Sequence, residues 1–109
     1  MLVLDLSQLR NVTLDDEALM REVVCALIEN ISKMIIELNR AVDANDLKVC
    51  IRLAHNAQGA CGNVGAVSMA ALFQRLERQA TGGEAGSCQS SLRELSVELE
   101  KLREEAKSL

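Results

Sequence analysis

Apolar residues return every three or four positions along most of this chain, and the stretches that keep that period mark out helices. From about Asp16 to Val42, Leu19, Val23, Leu27, Ile31, Met34, Ile35, Leu38 and Val42 follow the helical repeat. The stripe is wide, as expected of a helix packed against more than one neighbour. Thr13-Leu14-Asp15-Asp16 ahead of it reads as a helix start, with polar caps and acids in the first turn. Upstream, Asp5 to Arg10 predicts a short helix, with Leu2, Leu4, Leu6 and Leu9 as its apolar residues.

Ala44-Asn45-Asp46 makes a short connection, and Asn45 is the expected cap of the next helix, which ends near Gly62 to Gly65. A further helix covers about Ala66 to Ala80, with Met69, Leu72, Phe73 and Leu76 inward. Thr81 to Gly86 is the one clear loop. The last helix starts between Ser87 and Ser91, where Ser91 and Glu94 fit a capping box. Its Leu92, Leu95, Leu99, Leu102 and Leu109 form a seam against other helices. Four substantial helices with short connections predict an all-α fold. The architecture is an antiparallel up-and-down four-helix bundle with a short extra N-terminal helix, and residues 1–109 read as one domain. An intermolecular coiled coil is the other use of the last seam. Its run is only about three heptads, and the wide stripes elsewhere need a partner, so an intramolecular bundle and a monomer are expected.

Composition sharpens this. The chain has one aromatic residue, Phe73, and no proline. A core of Leu, Ile, Val, Met and Ala favours close-packed helices over a sheet, and nothing interrupts the helical runs. The net charge is −4, unevenly spread. Residues 44–83 hold two acids, Asp46 and Glu77, against four bases, Lys48, Arg52, Arg75 and Arg78. Both flanking segments are acidic. The middle suits an acidic protein surface or a phosphoryl group, and without aromatic platforms nucleic-acid binding is not expected. Cys25, Cys50, Cys61 and Cys88 form no CxxC pair, so no metal site is expected; the first three read as small hydrophobes on apolar helical positions. No cofactor motif, signal peptide or bilayer-spanning run is present. A reduced, cytoplasmic domain without membrane contact is the expectation.

His55 is the sole histidine, in the run Leu53-Ala54-His55-Asn56-Ala57-Gln58-Gly59-Ala60-Cys61-Gly62-Asn63-Val64-Gly65. A glycine inside a helix costs about 1 kcal/mol relative to alanine, and this helix carries several. With Ala54 at the centre of the buried stripe, Leu47, Cys50, Ile51, Ala57 and Cys61 fall within about 60° of it. His55 is offset by about 100°, on the outer flank, and Gln58 lies between it and the core. Lys48, Arg52, Gly59 and Gly62 share that flank. An imidazole beside bare backbone and two cations suits a phosphoryl group, since a neutral ring nitrogen is a nucleophile. The bland alternative is a surface histidine near a helix end capped by glycine.

The spacing Ala54-His55-x-x-Gln58-Gly59, the later Gly65-Ala66, Leu72 and Leu76-Glu77 resembles the histidine-containing phosphotransfer (HPt) domain of bacterial multistep phosphorelays. The resemblance spans essentially the whole chain. It implies a four-helix bundle in which His55 is phosphorylated, Gly59 leaves room for the ring and the partner, and Gly65 turns the chain out of the histidine helix. It implies receiver domains of response regulators or hybrid sensor kinases as partners; these supply the aspartate and Mg2+, so the chain is a carrier rather than an enzyme. Gln58 stands where the family usually has lysine, and Ala57 where it usually has leucine. Arg52, with Lys48, is the candidate on the same helix for the missing charge; Gln58, Gly59 and Gly62 complete the expected contact set. A docking module that binds a receiver or kinase without transferring phosphate is the second implied reading.

Overall fold

In the computed structural model, which describes residues 2–109, the chain folds into five helices: α1 Leu6–Val12, α2 Glu17–Asp43, α3 Leu47–Val64, α4 Val67–Thr81 and α5 Ala85–Ala106. Helices α2 to α5 form a four-helix bundle. Each packs on the next in sequence, and α5 closes the ring against α2. The bundle measures 42 × 22 × 20 Å, and α2, at about 1.5 Å per residue, runs its full length. No helix among the described residues is long and apolar enough to cross a membrane.

Aspartates start three of the helices. Asp5, Asp16 and Asp46 each accept a hydrogen bond from the backbone N–H three residues on, at Gln8, Leu19 and Val49. This satisfies a donor that the helix leaves orphaned and places negative charge at its positive end. Asn45, the expected cap of α3, instead takes φ 55° in the turn before it, and Asp46 is the cap. A short amide side chain tolerates the left-handed region better than most residues. The expected capping box at Ser91 and Glu94 does not form. The α5 helix starts six residues earlier, at Ala85, and Ser91 is fully buried within it. The Ser91 hydroxyl donates to Gln79 Oε1 at 2.6 Å and accepts from Arg75 Nε at 3.2 Å, while Glu94 pairs with Arg75. These residues tie α4 to α5.

Phe73, Ile31, Leu38, Met69, Leu76, Leu92, Leu95 and Leu102 fill the core. Leu72 is only half-buried. At the start of α2 the buried face is one residue round from the expected one: Met20 and Val24 are inside, Leu19 is exposed and Val23 half-buried. Met20 lines a small cavity at this end together with Leu4 and Leu6 of the N-terminal segment. Val3 and Leu4 are buried there, and both donate backbone N–H groups to the Glu105 carboxylate of α5, at 2.8 and 3.0 Å. Leu2 points outward. Cys50, Cys61 and Cys88 are buried, whereas Cys25, read as an apolar-face residue, is exposed. Burial pushes the Cys61 thiol up to about 12 and raises Cys50 and Cys88 as well.

Small residues dominate the inner face of α3, where Cys50, Ala54, Ala57 and Cys61 are all fully buried. They let the neighbouring helices approach closely, and α3 makes its most extensive contact with α4. That contact decides what His55 faces.

Candidate functional site

Ala54 lies at the centre of the buried face of α3, so its neighbour His55 emerges at the edge, with 71% of its side chain exposed. The ring leans towards α4. Its Nδ1 lies 3.3 and 3.4 Å from the two carboxylate oxygens of Glu77. A carboxylate has only acceptors to offer, so this contact favours the tautomer with its proton on Nδ1. In the neutral ring that tautomer leaves the lone pair on Nε2.

An open cleft of about 460 Å³ surrounds the ring, lined by His55 and Gln58 from α3 and by Gln74, Glu77, Arg78 and Thr81 from α4. The α4 residues are spaced i, i+3, i+4 and i+7 and therefore share one face of that helix. Gln58, half-buried, sits between His55 and the core, as its helical angle predicts. Lys48 and Arg52 are exposed on the outer flank of α3 and do not line the cleft. The cation that the structure brings to it is Arg78, from the other helix.

Gly59 is exposed one turn beyond His55, and a Cβ built there meets nothing within 4 Å. Gly62, a further turn along, is similarly open on its Cβ side, while its carbonyl accepts from Gln8 Nε2 at 2.7 Å. Gly65 has a different task. It takes φ 88°, its N–H bonds back to the Gly62 carbonyl, and the Ala66 N–H bonds to Cys61, which together terminate α3. Its own carbonyl accepts from Asp5 N at 2.7 Å, fixing the start of α1 across the end of the histidine helix.

Half of this site escapes a reading of α3 alone. Gln74, Glu77, Arg78 and Thr81 lie some twenty residues downstream, and helical spacing relates residues of one helix only. The Leu76-Glu77 pair carried the one available signal, as part of the family pattern, but it names no role for the carboxylate.

The family model of the Hpt domain matches residues 22–105. Among solved structures, the chain is similar to histidine-containing phosphotransfer protein B from Pseudomonas aeruginosa PAO1, with a TM-score of 0.88 and 23% sequence identity over 96% of this chain and 91% of that one. At that identity the likeness speaks for the fold. No curated protein matches the sequence.

Proposed function

Since the chain belongs to the Hpt domain family, a family of phosphotransfer carriers, we propose that it is a phosphorelay intermediate carrying its phosphoryl group on Nε2 of His55, between receiver-domain aspartates. The observation that supports this most is the exposed imidazole whose Nδ1 is engaged by Glu77, with the bare Gly59 backbone one turn away.

The step balances as follows. The Nε2 lone pair attacks phosphorus in line with the leaving group. The P–N bond forms as the P–O bond to the receiver's aspartyl phosphate breaks, and the aspartate carboxylate keeps the electron pair. The imidazole becomes cationic while its proton stays on Nδ1, facing the Glu77 carboxylate, which stabilises that charge. The receiver supplies Mg2+ and the acidic site. Reverse transfer to a second receiver retraces the path. In-line phosphoryl transfer is mostly positioning plus electrostatics. Gly59 and Gly62 give the receiver access, Gln58 offers a hydrogen bond to the phosphoryl oxygens, and Arg52 and Lys48 meet acidic groups of the partner on the outer flank.

One feature favours a docking module that binds a receiver without transfer: Gln58 provides no charge where the family usually has lysine. Labelling separates the two roles. Incubation with a phosphorylated receiver and its kinase should give acid-labile, base-stable phosphate on this chain, and His55→Gln should abolish it with helical content unchanged. A chain that binds the receiver but takes no label would establish the docking role; label persisting in His55→Gln would remove His55 from the mechanism.

A further inference from the structure

We propose that Arg78 of α4 is the phosphoryl-binding cation of this chain, supplying from across the cleft the charge that Gln58 lacks. This rests on His55 being the acceptor.

Phosphorylation of Nε2 brings a dianionic group to a cleft whose nearest charge is the Glu77 carboxylate, also negative. A counter-charge is required to hold the phosphoryl oxygens against that carboxylate. Among the residues lining the cleft, Arg78 is the one cation. It follows Glu77 directly and shares with Gln74, Glu77 and Thr81 the face of α4 that forms the far wall. A guanidinium there offers several N–H donors in a planar fork, which matches phosphoryl oxygens.

Two further observations single it out. Arg75, the other base of α4, is committed to Glu94 and Ser91. Arg78 has no ion-pair partner among the described residues. Arg78 also borders a larger cleft of about 690 Å³ between α4 and α5, so it stands on the ridge between the two. The acids of that second cleft, Glu94 and Glu98, already pair with Arg75 and Lys101. Nothing there competes for the Arg78 guanidinium, which remains available to an anion on His55.

The test uses the intact chain and a small phosphodonor, phosphoramidate, so that no receiver is needed. Its P–N bond breaks with release of ammonia as the bond to Nε2 forms. Labelling rate and phosphohistidine lifetime are followed by 31P NMR. At low ionic strength Arg78→Ala should slow labelling about five- to tenfold, the scale of one charge-assisted hydrogen bond at an exposed site. Arg78→Lys should keep most of the rate, and Gln58→Lys should restore it in the Arg78→Ala background. The deficit should shrink at about 0.5 M salt, because a solvent-exposed interaction is screened; a packing defect would not respond to salt. Arg78→Ala labelling at the parental rate would overturn the proposal, as would an equal loss from Arg52→Ala. Failure of the parent chain to label at His55 at all would overturn the reading beneath it instead.

Discussion

Gly59 inside α3 and Gly65 just past its end should respond to alanine in opposite directions. At Gly65 the backbone has φ 88°, and a Cβ would stand 2.9 Å from the Asp5 carbonyl oxygen. The left-handed conformation costs a residue with a Cβ roughly 1–2 kcal/mol. Relief of the contact requires Asp5 to move, yet Asp5 N donates to the Gly65 carbonyl and Asp5 O accepts from Leu9 N in the first turn of α1. Weakening those bonds adds roughly 0.5–1.5 kcal/mol each. Gly65→Ala should therefore destabilise the chain by roughly 2–5 kcal/mol, or roughly 10–20 °C in Tm for a domain of this size. At Gly59 a Cβ meets nothing within 4 Å and the backbone is helical. Gly59→Ala should stabilise by about 0.5–1 kcal/mol. Urea denaturation followed by circular dichroism measures both. A Gly65→Ala loss below about 1 kcal/mol, or a destabilising Gly59→Ala, would refute the reasoning.

Three other outcomes follow from the same structure. Gly59→Leu should be at least as stable as the parent yet lose most receiver-dependent transfer, because its side chain enters the approach to His55; normal transfer would show that the open backbone has no role. Glu77→Ala should lower the Nδ1–H fraction of neutral His55 seen in 15N NMR and slow labelling several-fold, with Glu77→Gln intermediate since its amide oxygen still accepts from Nδ1; an unchanged tautomer ratio would sink the positioning role. The buried thiols of Cys50, Cys61 and Cys88 have folded-state pKa values raised above the unfolded one, so unfolding releases protons at high pH. Stability should be flat in this respect below about pH 9 and fall as pH rises above it, by about 1.4 kcal/mol per pH unit for each thiol that ionises only on unfolding. Cys25 should meanwhile alkylate readily at pH 8, and equal reactivity of all four thiols in the folded chain would contradict the burial pattern.

The helices and the place of His55 were legible because both depend on local periodicity. Placing Ala54 inside was enough to put its neighbour at the edge. Errors arose where tertiary contacts outweigh local preference. Ser91 followed by Glu94 has the sequence of a cap, but Gln79 and Arg75 satisfy the hydroxyl inside the bundle, and the helix starts earlier. Met20 and Val24 are buried in place of Leu19 and Val23, and Met20 meets the N-terminal segment, which lies outside the helix whose repeat was read. Asn45 and Asp46 are both reasonable caps by composition, and the turn geometry chooses between them. The α4 half of the site was hidden for the same reason. Angles around one helix cannot place Glu77 or Arg78 beside His55, so the only cations they bring near it are those of α3, Arg52 and Lys48.

The most direct test of the account is 15N and 31P NMR of the phosphorylated chain with labelled histidine. One phosphoryl group is expected, bonded to Nε2 of His55, with a proton retained on Nδ1. Phosphate bonded to Nδ1, or carried by any other residue, would contradict it.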